Sequence, residues 1–145
     1  MEIRLIHQNE LPELLRLYRQ LHKDGWLEEG PAARTIWEKL QQLPGCYVIV
    51  AAEGEKLLST CTLLLVPNLT HQGRPYGLVE NVVTDVTHRK QGLAKACLDY
   101  AKELAEKEQC YKLMLMTGRK DSATLRFYQE AGYSSKEKTA FVQWL

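Results

Sequence analysis

Apolar and polar residues along the chain repeat with two different periods, which predict helices and strands. Apolar side chains at helical spacing predict helices over residues 9–23, 30–43, 92–109 and 121–132. Short runs of β-branched and other apolar residues predict strands over residues 2–6, 46–53, 57–66, 76–86, 111–117 and 139–145. The order β-α-α-β-β-β-α-β-α-β indicates an α/β fold with a mixed central sheet flanked by helices.

Length and cysteine content indicate one domain without disulfide bonds or a structural metal site. A chain of 145 residues corresponds to a single domain, residues 1–145, with a core of its own. The four cysteines, Cys46, Cys61, Cys97 and Cys110, form no C-x-x-C pair, and three lie in apolar runs. We expect reduced thiols and a cytoplasmic location. The four histidines show no ligand spacing, so no metal site is expected.

Charge and hydropathy argue against a nucleic-acid-binding protein and against a secreted or membrane-spanning one. The chain has 19 basic and 18 acidic side chains, a net charge of +1, without the basic excess on which sequence-independent nucleic-acid binding depends. The N-terminal residues lack the pattern of a signal peptide, and no apolar stretch approaches 18 residues. Neither nucleic acid nor a membrane is an expected partner.

Basic residues surround one glycine at a predicted strand-to-helix junction, in the stretch "HRKQGLAK" at residues 88–95. The first N–H groups of a helix lack partners and carry partial positive charge, so such a junction binds anions. Gly92 permits a close backbone approach, and Arg89, Lys90 and Lys95 add full charges. The alternative is that Gly92 only makes the turn and the cations form an ordinary solvated rim.

Three separate blocks of the sequence resemble the GNAT family of N-acetyltransferases. "RKQGLA", Arg89 to Ala94, follows the strand "ENVVTDV" as the family's acetyl-CoA signature does; "MEIRLIHQNELPELLRLY" and "DSATLRFYQEAGY" resemble its first and last blocks. The resemblance implies acetyl-CoA as cosubstrate, bound at the loop by Arg89, Lys90, Gln91, Gly92, Leu93, Ala94 and Lys95. The chain has Asp121 where the family often has asparagine, and Val86 where it often has proline.

The same resemblance implies a bulge in the central strand, which splays a pair of strands and exposes backbone groups. Val82, Val83 and Thr84 would then bind the pantetheine arm like an added strand. The alternative is a fully buried strand, for which a valine run is equally suitable.

Glu80 is the candidate base that would accept a proton from the amine during acetylation. Glu80 alternates with Val82 and Thr84, which predicts that the three share a face, and a glutamate serves as base at this strand position in some family members. An ion pair at the sheet edge is the alternative role of Glu80. Asp85, Glu53 or a chain of water molecules could replace it as base.

Tyr128 and Asp121 belong to the last predicted helix. Tyr128 corresponds to the family tyrosine whose hydroxyl points at the sulfur of coenzyme A; the alternative is a core position. Asp121 is a candidate cofactor contact by resemblance, and aspartate is also a preferred helix cap.

The acceptor site is the part that the sequence describes least. In the family the first two helices and their connection form its wall, which here places Trp26, Glu28, Glu29, Trp37 and Tyr76 around a pocket suited to a cationic amine. The two tryptophans could equally pack the helices onto the sheet.

These observations predict an acetyl-CoA-dependent N-acetyltransferase that acts on a primary amine of a small molecule. Two alternatives stay open: an acyl-CoA-binding regulatory module without turnover, and an enzyme that acetylates lysines or N-termini of proteins. The sequence leaves open whether the chain forms a homodimer.

Overall fold

The computed structural model describes residues 1–145 and contains five strands and four α-helices. In chain order they are β1 (Glu2–Leu5), α1 (Leu11–Tyr18), α2 (Pro31–Gln42), β2 (Cys46–Glu53), β3 (Lys56–Val66), β4 (Tyr76–Thr84), α3 (Leu93–Lys107), β5 (Leu113–Leu115) and α4 (Ser122–Glu130). None of these helices has both the length and the apolar character needed to cross a membrane.

The strands form one mixed sheet in the order β1-β2-β3-β4-β5. Neighbours from β1 to β4 are antiparallel, whereas β5 lies parallel to β4 after the crossover through α3. This arrangement confirms the predicted α/β fold with its mixed sheet flanked by helices.

The sheet separates two apolar cores, because successive strand residues point to opposite faces. On β2, Val48 and Val50 pack against α1 and α2, while Ile49 and Ala51 pack on the side of α3. We call these sides the α1 face and the α3 face. All four cysteines are free thiols, and burial raises the pKa of Cys97 to about 12.

Helix α1 is shorter than the apolar pattern predicts. It ends at Tyr18 rather than near residue 23. A tight turn follows, in which the backbone N–H groups of Gln20 and Leu21 donate hydrogen bonds to the carbonyls of Leu17 and Tyr18. Gly25, at a φ of 71°, lies in the connection that follows. The connection to α2 is therefore long and irregular.

The prediction of a terminal strand over residues 139–145 is wrong. No residue of this segment pairs with the sheet, and the side chains of Phe141 and Trp144 are 92% and 91% exposed. A strand needs a neighbour that satisfies its backbone groups, and this segment pairs with neither edge strand of the sheet.

Candidate active site

Strand β4 contains a bulge that opens the sheet. Its pairing with β3 shifts register between Thr60 and Thr62, and Asn81 on β4 has a φ of 54°. On the other side, β4 pairs with β5 only from Gly77 to Val79, so its remaining residues have no neighbour there. The predicted bulge and splayed strand pair are confirmed.

The bulge changes which face the β4 side chains occupy, and one prediction is wrong for that reason. Glu80 pairs with Thr62 on the α1 face, where Thr62 meets the hydroxyl of Tyr18. Beyond the extra residue the alternation is reversed. Val82 packs against the core on the α3 face, and Val83 against the core on the α1 face. Glu80 therefore does not share a face with Val82 and Thr84.

The loop before α3 has the backbone geometry of an anion site. Gly92 is the residue that precedes the helix, in the left-handed region at φ 78°, and no side chain caps the first N–H groups of α3. Nothing lies within 4 Å of the position where a β-carbon of Gly92 would be. Lys90 is also left-handed, at φ 61°, so the loop wraps around the free helix end.

A cavity of about 810 Å³ runs through the opening between β4 and β5. Its wall contains most of the predicted cofactor residues and both candidate catalytic residues: Glu80, Val82, Val83, Thr84, Arg89, Lys90, Gly92, Leu93, Ala94, Lys95 and Tyr128. We call it the cofactor cavity. Gln91 and Asp121 lie outside its wall.

Asp121 caps helix α4. Its carboxylate accepts hydrogen bonds from the backbone N–H and the hydroxyl of Thr124, at 3.0 and 2.8 Å, and from Arg119 at 3.0 Å. The Thr124 backbone N–H, followed by the hydroxyl, lowers the pKa of Asp121 to about 2. Asp121 thus contacts Arg119, which is one of the residues that line the cofactor cavity.

Tyr128 lies half-buried on the α3 face of the cavity. Its ring meets that of Phe127 edge to face, with centroids 4.9 Å apart, and its hydroxyl has no hydrogen-bond partner in the protein. Burial raises the pKa of Tyr128. The phenol is therefore protonated at neutral pH and free to donate.

The three carboxylates considered as bases have different surroundings. Glu80 is exposed in the cavity wall and takes part in no ion pair. Asp85 is only 4% exposed and accepts hydrogen bonds from the Thr87 hydroxyl and from Arg16, both at 2.6 Å. Glu53 ends β2 outside the cavity wall. Of the three carboxylates, only Glu80 both lines the cavity and has no ion-pair partner.

A second cavity, of about 230 Å³, lies between α1, α2 and their connection. Most of its wall is apolar, and it contains the predicted Trp26 and Trp37. Glu28 instead pairs with Arg19 at 2.6 Å, and neither Glu29 nor Tyr76 belongs to the wall. We call it the apolar pocket.

Several cavity residues were not predicted from the sequence. The loop after β5 contributes Met116, Thr117, Gly118 and Arg119, because β5 diverges from β4 immediately before it. Asn81 lines both cavities, together with Leu21 and His22. The bulge at Asn81 was implied by resemblance, but no sequence signal located it.

The fold, in which a split sheet meets the free end of a helix, is shared by two solved structures. A putative acetyltransferase from Agrobacterium tumefaciens shares this fold at 36% identity, with a TM-score of 0.92 over 99% of this chain and 100% of that one. A glucosamine-6-phosphate N-acetyltransferase from Arabidopsis thaliana, 19% identical, shares it with a TM-score of 0.84 over 99% and 97% of the two chains.

The chain belongs to the acetyltransferase (GNAT) family, whose sequence profile matches residues 11–133. A glucosamine 6-phosphate N-acetyltransferase from Trypanosoma brucei brucei is 31% identical over 83 residues, 57% of this chain and 54% of the relative. The matched part thus spans about half the length of that curated relative.

Proposed function

We propose that the protein transfers the acetyl group of acetyl-CoA to a primary amine of a small molecule by direct attack of the amine on the thioester. The observation that carries the proposal is the course of the cofactor cavity, which passes through the sheet. It has Tyr128 on the α3 face and Glu80 on the α1 face. Two reactants can therefore meet in the opening from opposite sides.

The residues present fit a coenzyme A thioester. The free end of α3, with Arg89 and Lys90 beside it, suits a pyrophosphate. The unpaired edge of β4 from Glu80 to Thr84 suits the amide groups of a pantetheine arm, which can extend the sheet like a strand. The thioester supplies the acetyl group, and the protein supplies position and proton transfer.

Glu80 is the proposed base. A lysine-like amine has a pKa of about 10.4, so making it neutral at pH 7.5 costs about 4 kcal/mol. The carboxylate of Glu80 is exposed to the cavity and has no ion-pair partner to hold it elsewhere. It accepts the ammonium proton directly or through a bound water molecule.

Tyr128 is the proposed acid. A departing thiolate has a conjugate pKa near 8.5, so a proton donor contributes only a few kcal/mol at neutral pH. The Tyr128 hydroxyl faces the cofactor cavity without a hydrogen-bond partner in the protein, so it is free to donate a proton to the departing sulfur.

The test is amine-dependent release of the coenzyme A thiol, with the acetylated product identified by mass spectrometry. Tyr128→Phe should lose roughly 10²-fold in kcat while acetyl-CoA affinity stays within a few-fold. Tyr100→Phe is the matched control, because Tyr100 is a half-buried tyrosine outside the cavity wall. Tight binding of acetyl-CoA without turnover on any amine would contradict an enzyme and favour a binding module.

A further inference from the structure

We propose that the acceptor is a primary amine with an apolar, single-ring-sized body, and that the apolar pocket holds this body. This inference rests on the proposed function and concerns the substrate class. The pocket and the cofactor cavity share Leu21, His22 and Asn81 in their walls, so they adjoin at the β4 bulge. An amine with its body in the pocket would direct its nitrogen toward the opening of the sheet.

The wall of the apolar pocket has a fixed base and an open rim. Leu14, Ala33 and Trp37 at its base are at most 5% exposed. At the rim, Trp26, Leu27 and Ile36 are 50%, 41% and 47% exposed, which is unusual for three large apolar side chains around one concavity. An apolar ligand would remove this surface from water, which is the main favourable term in such binding.

The wall chemistry disfavours a sugar phosphate. Arg19 is the one permanent cation in the pocket wall, and its guanidinium is paired with Glu28 at 2.6 Å. Asp24 adds a carboxylate to the same wall. A phosphate there would have to displace Glu28 from Arg19 and would lie in the same wall as the Asp24 carboxylate, and both effects disfavour it.

The volume of the pocket excludes large acceptors. About 230 Å³ is less than the roughly 300–1,000 Å³ of sites for drug-sized ligands. One aromatic ring with a short alkyl arm suits this space, whereas a multi-ring aminosugar does not.

The experiment compares phenethylamine with glucosamine 6-phosphate as acceptors for the wild-type protein. We expect kcat/KM to be at least about 100-fold higher for phenethylamine, because the mostly apolar wall suits its ring and offers a phosphate no unpaired cation. Ile36→Glu should raise the KM for phenethylamine roughly tenfold, since a carboxylate replaces an aliphatic contact. Gln41→Glu is the control, because Gln41 is an exposed α2 residue outside the pocket wall and adds the same charge.

The outcomes separate this inference from the proposed function. Higher kcat/KM for glucosamine 6-phosphate would overturn the inference and leave the acetyltransferase intact. Equal effects of Ile36→Glu and Gln41→Glu would also overturn it. No acetylation of either amine, or of a wider panel of primary amines, would instead overturn the proposed function.

Discussion

Asp85 offers the sharpest test of the structure around the cofactor loop, because it connects the end of β4 to helix α1. Its buried carboxylate accepts hydrogen bonds from the Thr87 backbone and hydroxyl, at 3.0 and 2.6 Å, and from Arg16 at 2.6 Å. Arg16 also donates to the Leu57 carbonyl at 2.6 Å, so one arginine joins two strand ends to α1. We predict that Asp85→Asn destabilises the fold.

The size of the effect follows from these contacts. Breaking a buried ion pair costs about 3–5 kcal/mol. Arg16 is partly exposed and keeps Glu13 as a second partner at 2.9 Å, which favours the lower end, about 3 kcal/mol. For a chain of this size each kcal/mol lowers the melting temperature by about 2–4 °C, so a decrease of about 6–12 °C is expected.

The pH dependence distinguishes the charge of Asp85 from its shape. The Thr87 hydroxyl first, and then Arg16, hold the pKa of Asp85 well below its usual range. The stabilisation is therefore present above the unfolded-state pKa of about 3.9, and it is lost progressively as the pH falls from that value toward the lower pKa of the folded state. Wild-type stability should decline in this window, and the decline should be shallower in Asp85→Asn.

Denaturant unfolding measured between pH 7 and pH 3 supplies the assay. Asp99→Asn is the control, because Asp99 forms an exposed ion pair with Lys95 and should cost less than about 1 kcal/mol. If Asp85→Asn were no less stable than Asp99→Asn, or had the wild-type acid profile, the network would not hold the loop as described.

Three further predictions concern the proposed site. Saturating acetyl-CoA should stabilise the wild type by about 2.7 kcal/mol at a hundredfold excess over its dissociation constant, and Gly92→Glu should abolish this shift; Gly54→Glu, at an equally open left-handed glycine, should retain it. Glu80→Gln should depress turnover at pH 7 and recover part of it at pH 9, whereas a pH-independent loss with a lower melting temperature would make Glu80 structural. The defect of Tyr128→Phe should shrink with an acetyl donor whose thiol is more acidic, and a defect of equal size with both donors would indicate positioning.

Local patterns were enough to predict the order of elements and the cofactor loop. The loop can be recognised because the stretch "HRKQGLAK" combines a glycine with basic residues and an amphipathic helical pattern follows it directly. Nine of the ten predicted elements exist, with ends that differ by a few residues. The β5 strand is shorter than predicted because it leaves β4 at Leu115 to make the opening.

The two clearest errors depend on information outside any local pattern. Periodicity places residues i and i+2 of a strand on one face, so it cannot place Glu80 correctly when an extra residue at Asn81 reverses the alternation. Likewise, residues 139–145 have the composition of a strand, but pairing depends on a neighbour that composition does not describe.

The same bulge explains how the proposed acid and base come to lie on opposite faces of the sheet. In a regular strand Glu80 and Val82 would share one face of the sheet. With the extra residue at Asn81, Glu80 lies on the α1 face, where the apolar pocket adjoins the opening, while Val82 lies on the α3 face with Tyr128. In the proposed reaction a proton can then leave the amine on one side while another reaches the sulfur from the other. Asparagine tolerates the left-handed conformation at this position, whereas a β-branched residue, common elsewhere in β4, would be strained there.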